Sequence, residues 1–281
     1  MHIFKIKDKI KEYVTSKLES TKTIGFVPTM GALHQGHLSL IENSKENNDI
    51  TIVSIFVNPT QFDNPEDLKK YPSTVDDDLK ELETLGVNAV FLPTIDEIYG
   101  DNVVAEKYDF GNLDKVMEGK HRKGHFDGVA TIVKLLFDIV KPTNSYFGEK
   151  DFQQLQIIKN MVAQKNLPVN IVPCPIVREK DGLAMSSRNI RLTEGHRKEA
   201  PIIYKTLKEA SQLSKTKSIS EVHNYVNECF SSNDLLELEY FEIRDQEYLA
   251  NASDFQEDKK YRAFIAVFAE NIRLIDNIEV F

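Results

Sequence analysis

The chain has 281 residues, of which 41% are hydrophobic and 28% charged, a balance typical of a globular protein with one large or two ordinary domains. Its net charge of −9 at pH 7 argues against a general nucleic-acid-binding surface. The longest apolar run, Ile50 to Val57, is too short to span a membrane, and the lysine-containing start lacks the apolar segment of a secretory signal. We therefore expect a cytoplasmic protein without nucleic-acid or membrane partners. Its two cysteines, Cys174 and Cys229, are expected to be free buried thiols in a reducing cytosol, with a disulfide between them as the alternative.

Two kinds of segment alternate along the chain up to residue 176. Apolar and β-branched runs predict strands at Thr23–Thr29, Asp49–Val57, Asn88–Pro93, Asn144–Gly148 and Asn170–Val177. Apolar residues at helical spacing predict helices at Gly36–Asn47, Val75–Leu85, Gly128–Val140 and Asp151–Gln164. Thr74 with Asp77 is expected to form a capping box, and Asp151 to act as an N-cap. Strands that alternate with helices through short connections predict an α/β fold with a parallel sheet and helices on both faces.

The pattern changes after residue 176. Helices are predicted at Thr193–Leu213 and Ser218–Phe230, and strands at Leu236–Ile243, Arg262–Ala269 and Ile272–Val280. The last two strands flank Glu270–Asn271 and are expected to form an antiparallel hairpin. Helices followed by antiparallel strands predict a smaller α+β domain, so the predicted domains are residues 1–176 and 177–281.

Candidate site residues follow the predicted strands, because ligands of an open α/β sheet bind beyond the carboxyl ends of its strands. The first strand leads into PTMGALHQGH, in which His34 and His37 lie with Gly36 at the start of a helix. Free N–H groups and the positive end of the helix dipole favour an anion there, and two imidazoles can donate to phosphate oxygens. The alternative interpretation is a capped helix with incidental histidines.

Three later segments also place polar side chains near strand ends. They contribute Asn58 and Gln61 in NPTQF, Lys150 and Gln154 in GEKDFQQ, and Ser186, Ser187 and Arg188 in DGLAMSSRN. Lysine and arginine suit phosphate oxygens, whereas amides suit a substrate with hydroxyl and carboxylate groups. Taken alone, each segment is also consistent with an ordinary polar turn.

Five co-linear segments, PTMGALHQGHLSLI, SIFVNPTQF, GHFDGVATIV, FGEKDFQQL and DGLAMSSRN, resemble the pantoate–β-alanine ligases, or pantothenate synthetases, of the nucleotidylyltransferase (HxGH) superfamily. The likeness runs from about residue 22 to 192 and continues more weakly to RLIDNIEV. It implies a Rossmann-like amino-terminal domain, a small carboxy-terminal domain that covers the site, a homodimer, and the use of ATP and Mg²⁺. The implied reaction joins pantoate to β-alanine through a pantoyl adenylate, releases pyrophosphate and AMP, and yields pantothenate.

The resemblance also implies a role for each motif. The catalytic set would be His37, His34, Lys150, Ser186, Ser187 and Arg188, with His37 in an acid role. Gln61 and Gln154 would hold pantoate, and Gln61 would also contact β-alanine. Asn58, Tyr71, Arg122 and His125 would lie near the site. The ATP-binding residues would be Pro28, Thr29, Met30, Gly31, Ala32, Leu33, His34, Gln35, Gly36, His37, Gly148, Glu149, Lys150, Asp151, Val177, Met185, Ser186, Ser187 and Arg188.

Asp77 and Asp78 match acidic positions that can contact Mg²⁺ in the family, although carboxylates in a first helical turn also complement the helix dipole. Mg²⁺ prefers waters and substrate phosphates to an all-protein cage, so ATP is expected to supply most ligands. The chain departs from the family at Lys123, where proline is common, and at Ser73, where arginine is common in a segment expected to act as a lid. We expect activity to survive both changes because neither touches the groups that are implied to contact phosphate.

Two other functions fit parts of the pattern. A nucleotidylyltransferase would stop after moving AMP onto a phosphate-bearing substrate, but Gln61 and Gln154 suit a hydroxylated acid without a phosphate. A nucleotide sensor would keep the pocket without turnover, but both histidines, Lys150 and the Ser-Ser-Arg set are retained. The ligase is therefore the leading hypothesis.

Overall fold

The computed structural model describes residues 1–281. Its strands are β1 (His2–Phe4), β2 (Ile24–Thr29), β3 (Ile50–Ile55), β4 (Ala89–Phe91), β5 (Asn144–Gly148), β6 (Asn170–Cys174), β7 (Glu237–Asp245), β8 (Tyr261–Ala269) and β9 (Ile272–Val280). Its α-helices are α1 (Lys7–Glu19), α2 (Gln35–Asn47), α3 (Pro65–Lys69), α4 (Val75–Thr84), α5 (Ile95–Tyr99), α6 (Met117–His121), α7 (His125–Val140), α8 (Phe152–Gln164), α9 (Glu194–Glu199), α10 (Ile202–Leu213) and α11 (Ile219–Ser231). Short 3₁₀ helices lie at Pro59–Gln61, Glu149–Asp151 and Ser187–Arg191. None of the helices combines the length and the apolar character needed to cross a bilayer.

The first six strands form one parallel sheet in the order β1-β4-β3-β2-β5-β6. The predicted fold class is confirmed. From β2 the chain builds the sheet in one direction through β3 and β4, and later returns to the other side of β2 to add β5 and β6. The carboxyl ends of β2 and β5 therefore flank a topological switch point, where a crevice opens for ligands.

Both faces of this sheet are buried. Leu38 and Ile41 of α2 and Leu82 of α4 belong to the apolar cluster on one face. The cluster on the other face draws on α1, α7 and α8. Adjacent residues of β2 point into different clusters, Phe26 into one and Val27 into the other. Strands with two buried faces need apolar side chains at nearly every position, which explains the unbroken apolar runs in the sequence.

The carboxy-terminal part contains a three-stranded antiparallel sheet in the order β7-β8-β9. The predicted hairpin is present, with Ala269 paired to Ile272 across the turn. Helices α10 and α11 pack on this sheet and share a second apolar core with it. The parallel sheet ends at Cys174, and the division of domains after residue 176 stays a prediction.

Several local predictions were wrong. The Thr74 hydroxyl makes no capping bond and donates instead to the carboxylate of Asp78. Asp151 is the N-cap residue of α8, as predicted, but its side chain makes no capping hydrogen bond. The long helix predicted from Thr193 is two helices, which meet at Pro201 because proline disrupts a helix interior. Strand β1 and helix α1 were not predicted.

Candidate active site

The carboxyl ends of β2, β3, β5 and β6 lead into one cavity of about 250 Å³, called the main cavity below. The predicted catalytic and binding residues that line it are Pro28, Thr29, Met30, His34, Gly36, His37, Gln61, Gly148, Lys150, Asp151, Gln154, Val177, Met185, Ser186, Ser187 and Arg188. Its walls also include Asn58, Tyr71, Arg122 and His125. The predicted residues that do not line it are Gly31, Ala32, Leu33, Gln35, Glu149, Asp77 and Asp78. Segments far apart in the sequence thus converge, and their individual roles stay predictions.

A second cavity of about 340 Å³ adjoins the first and opens towards the carboxy-terminal sheet. Lys150, Ser186 and Arg188 line both cavities. Arg122 also belongs to both walls, and Arg191 and Arg273 are added in the second. Where the two cavities meet, Arg122, Lys150 and Arg188 line the walls together with one carboxylate, Asp151. Carboxylates occupy much of the remaining wall of the second cavity, among them Asp67, Glu118 and Asp276. The positive charge available to a polyanion is therefore local to the junction of the two cavities.

The two histidines of HxGH lie side by side at the start of α2. Nδ1 of His34 accepts the N–H of Gly36 at 3.1 Å, so the neutral ring carries its proton on Nε2. The rings of His34 and His37 have centroids 4.1 Å apart. His37 Nδ1 is buried and has no hydrogen-bond partner. An unpaired buried nitrogen is costly and rare, which is consistent with a site whose hydrogen bonds are completed by a ligand.

Burial leaves both imidazoles uncharged at neutral pH. Burial lowers the pKa of His34 to about 4, and the positive charge of Lys150 contributes to that shift. The pKa of His37 falls to about 3 through burial and through the proximity of His34 and Lys150. Each ring therefore offers one N–H donor, and negative charge in the cavity would raise both pKa values.

The turn before these histidines is held by Asp78. The backbone N–H groups of Ala32 and Leu33 donate to the two carboxylate oxygens of Asp78, each at 2.9 Å. Gly31 and Ala32 have φ values of +79° and +50°, a backbone conformation that residues other than glycine rarely adopt. These two N–H groups are therefore engaged by a buried carboxylate and are not free to bind phosphate.

The same contacts bear on the predicted magnesium ligands. Asp78 is only 3% exposed and both of its oxygens accept hydrogen bonds, whereas the exposed Asp77 pairs with Lys80 at 3.0 Å. No group of three or more acidic, histidine or cysteine side chains is arranged to hold a metal ion. In this arrangement the carboxylates of Asp77 and Asp78 have different partners, and their contact with Mg²⁺ stays a prediction from resemblance.

Gln61 sits on a turn that is fixed by three neighbours. Arg122 can only donate, so its contact of 3.2 Å with Nε2 of His125 leaves the proton of that ring on Nδ1. His125 Nδ1 then donates to the backbone oxygen of Gln61 at 2.7 Å. Asn58 Nδ2 donates to the Gln61 side-chain oxygen at 3.1 Å. The Gln61 amide therefore faces the cavity with its orientation already determined.

Gly128, the last residue of the GHFDG motif, allows the turn that carries Gln61 to lie close against α7. A Cβ atom on Gly128 would stand 2.3 Å from the backbone oxygen of Thr60, a distance that real contacts do not reach. The backbone oxygen of Gly128 also accepts a hydrogen bond from Asn58 at 3.1 Å. Glycine is thus required for the approach of α7 to the turn that carries Gln61.

Two features of the site carried no signal in the sequence. Asp67 of α3 pairs with Arg188 at 2.7 Å and with Arg191 at 3.4 Å, which brings α3 to the edge of the second cavity. A single carboxylate in a polar segment gives no indication in the sequence that it pairs with arginines more than a hundred residues away. One edge of α7 also forms an apolar wall of the main cavity with Val129, Ile132, Val133 and Leu136, residues that the periodicity assigns only to the core.

Comparisons with known proteins agree with this geometry. The family model described as pantoate-beta-alanine ligase matches residues 2–279. The chain belongs to the pantoate–β-alanine ligase family. It is 53% identical to the pantothenate synthetase of Flavobacterium psychrophilum over 281 residues, which cover 100% of both chains. The ligase predicted from the motifs is thereby confirmed as the class of enzyme.

Solved structures support the same assignment. Pantothenate synthetase from Thermus thermophilus superposes with a TM-score of 0.93 at 36% identity and covers 100% of both chains. The pantoate-beta-alanine ligase of Francisella tularensis, described as complexed with β-γ ATP and β-alanine, gives a TM-score of 0.83 at 37% identity. That comparison covers 99% of this chain and 97% of the other.

Replacement of Asp78 distinguishes a structural carboxylate from a metal ligand. Asp78→Ala leaves the buried N–H groups of Ala32 and Leu33 unpaired, so we expect the free energy of unfolding to fall by about 1–3 kcal/mol. Asp77→Ala, on the exposed side of the same helix, is the matched control and should leave stability unchanged. Urea unfolding measures both. Equal stability of the two variants, together with altered Mg²⁺ dependence of activity, would contradict the structural role and favour the metal role.

Stability should also depend on pH through the buried histidines. In the unfolded chain histidine titrates near 6.5, whereas burial lowers the pKa of His34 and His125 to about 4 and that of His37 to about 3. Between these pH values the three histidines are protonated in the unfolded state and neutral in the folded state. The free energy of unfolding of the ligand-free protein therefore falls as pH falls from about 6.5 towards 5. Each histidine contributes at most about 1.4 kcal/mol per pH unit. Urea unfolding at a series of pH values should show a shallower slope in His37→Asn than in the unsubstituted protein; identical slopes in the two proteins would contradict the assignment.

Proposed function

We propose that the chain catalyses the ATP-dependent condensation of pantoate with β-alanine to pantothenate in two half-reactions at the main cavity. The carboxylate of pantoate attacks the α-phosphorus of ATP, which releases pyrophosphate and leaves pantoyl adenylate. The amine of β-alanine then attacks the acyl carbon and expels AMP. The observation that supports this best is the convergence of HxGH, Lys150 and the Ser-Ser-Arg set on one cavity that also contains Gln61 and Gln154.

The chemistry explains why this set contains donors and cations rather than a nucleophile. A carboxylate is a poor acyl donor because its leaving group would be oxide, and adenylation replaces that group with AMP. The first half-reaction gathers negative charge at phosphorus, so catalysis depends on positioned hydrogen-bond donors and positive charges. Lys150 and Arg188, which line both cavities, would contact the phosphates on either side of the bond that breaks.

The neutral histidines fit the same step. The Nε2–H of His34 can donate to a phosphate oxygen because its Nδ1 already accepts from the backbone. His37 would act beside it, and the negative charge of the bound nucleotide would raise its pKa towards a value suited to an acid role. The second cavity would hold the pyrophosphate end, where Arg188 would exchange its pairing with Asp67 for phosphate oxygens.

Pantoate would bind in the part of the main cavity that lies away from the second cavity. Its hydroxyl and carboxylate groups suit the amides of Gln61 and Gln154, and its aliphatic carbons suit the apolar edge of α7. Gln61 would also contact β-alanine. Because Asn58 and His125 fix Gln61 before any ligand arrives, little conformational freedom is lost on binding.

Four further expectations belong to this proposal. ATP is the nucleotide, as in the Francisella tularensis complex. Mg²⁺, when bound to ATP, neutralises phosphate charge and draws most of its ligands from the phosphates and water. The protein is a cytoplasmic homodimer. Residues 177–281 form a domain that covers the site formed by residues 1–176.

A product assay tests the reaction against its alternatives. Free AMP that appears only when pantoate and β-alanine are both present is the expected result. A stable nucleotidylated product without AMP would show a nucleotidylyltransferase instead. Tight ATP binding with turnover at background level would show a nucleotide sensor.

Substitution of His37 or Lys150 tests the residue roles. We expect His37→Ala and Lys150→Ala each to lower the adenylation rate by about 10²–10³, the loss typical of one transition-state donor. Pantoate-dependent isotope exchange between pyrophosphate and ATP measures this half-reaction. His2→Ala and Lys11→Ala, which change exposed residues outside both cavities, serve as controls. Undiminished exchange in the first pair would refute the assigned roles.

Gln154→Ala tests the location of pantoate. We expect the apparent KM for pantoate to rise by about 3- to 10-fold, which corresponds to the loss of one neutral hydrogen bond. Gln156→Ala, two residues along the same helix and outside the main cavity, should not change it. Initial-rate measurements with each substrate varied provide the comparison. A change confined to β-alanine would mean that the two substrate assignments are reversed.

A further inference from the structure

The segment RLIDNIEV near the carboxyl end forms most of β9, and this strand packs against the 3₁₀ turn Glu149–Asp151, called the Lys150 turn below. We propose that Asn277 of β9 is a positioning residue for Lys150, which it holds in place through the backbone of the Lys150 turn. The inference rests on the proposed role of Lys150 in binding phosphate.

Asn277 makes paired contacts with consecutive backbone carbonyl groups. Its Nδ2 donates to the backbone oxygen of Glu149 at 3.0 Å and to that of Lys150 at 2.9 Å. Both amide hydrogens are therefore used on one turn. The side-chain oxygen of Asn277 accepts from Arg262 Nη1 at 2.5 Å. Because arginine cannot accept, this contact fixes which end of the amide faces the Lys150 turn.

The partner arginine is itself held from two sides. The guanidinium of Arg262 lies 4.2 Å from the centre of the Phe152 ring, at the start of α8. Its Nη2 stands 3.6 Å from the carboxylate of Glu149. Asn277 and Arg262 are 2% and 6% exposed. Asn277 and Arg262, two buried residues of the carboxy-terminal sheet, therefore hold the Lys150 turn through contacts of fixed orientation.

The residue before Asn277 fixes the other predicted phosphate-binding segment. Both carboxylate oxygens of Asp276 accept from Arg178, at 2.6 and 3.0 Å. Arg178 Nη1 also donates to the backbone oxygen of Gly182, in the segment that leads to Arg188. Two adjacent residues of β9 therefore restrain the two chain segments that bring Lys150 and the Ser-Ser-Arg set to the cavities.

The Lys150 turn joins β5, whose last residue Gly148 pairs with Cys174 of β6, to the start of α8. The contacts from β9 add side-chain hydrogen bonds to the backbone of the turn itself. A displacement of a catalytic charge by about 1 Å can lower a rate by about 10²-fold. Loss of the hydrogen bonds from Asn277 should therefore slow the adenylation step.

Asn277→Asp tests the inference with little change in size. It replaces the donating NH₂ group by an oxygen that repels the two carbonyl groups. We expect pyrophosphate–ATP exchange to slow by about 10- to 100-fold and the KM for ATP to rise, with the KM for β-alanine unchanged. Gln156→Glu is the matched control, because Gln156 also donates to a backbone carbonyl of the carboxy-terminal part, that of Gln246 at 2.9 Å, but does not contact the Lys150 turn. If Asn277→Asp does not fold, Asn277→Ala removes the donors without adding charge.

A double-mutant cycle with Lys150→Ala separates positioning from general stability. If Asn277 acts through Lys150, the Asn277 substitution should slow exchange by less than about 3-fold further in the Lys150→Ala background. Multiplicative effects of the two changes would overturn the inference and leave the role of Lys150 intact. Normal exchange in the Asn277 variant together with slow exchange in Lys150→Ala would also overturn the inference without affecting the role of Lys150. Normal exchange in Lys150→Ala would instead overturn the proposed role of Lys150, and the inference with it.

Discussion

The divergence of the chain on either side of β2 is the constraint on which the whole site depends. Because β3 and β5 both pair with β2, and the chain reaches them at different stages, the loops after β2 and β5 diverge and leave a crevice between them. The first loop brings the histidines of α2 and the second brings Lys150. The neighbouring strands β3 and β6 then add the turn with Gln61 and the segment with Arg188. The order of the strands therefore determines which chemical groups can meet.

Burial gives these groups their chemical character. His37 is neutral because a charged imidazole would lose its solvation and would lie beside Lys150. The cations at the junction of the cavities lie near carboxylates, as Arg188 does near Asp67, which balances part of their positive charge. A polyanionic ligand would exchange these pairings for its own.

The sequence predicted those parts of the fold that depend on local pattern. Buried strands such as β3 and the helix α7 have long, regular apolar spacing, and the HxGH motif carries its own glycine and helix start. Edge strand β1 is short, mostly exposed and bounded by His2 and Lys5, so unlike the equally short but fully buried β4 it does not stand out as an apolar run, and it was missed. The role of Thr74 was also wrong, because its hydroxyl prefers the carboxylate of Asp78 to the backbone it was expected to cap. Contacts such as that of Asn277 with the Lys150 turn join residues more than a hundred positions apart, and no local pattern encodes them.

The neutral state of the paired imidazoles has a consequence for binding equilibria. A phosphate group that raised their pKa values close to the pH of the solution would make the site take up hydrogen ions as it binds. Thermodynamic linkage is reciprocal, so such a ligand would bind more tightly to the protein with protonated rings than to the protein with neutral rings. Occupancy of the cavity and proton content would then be coupled.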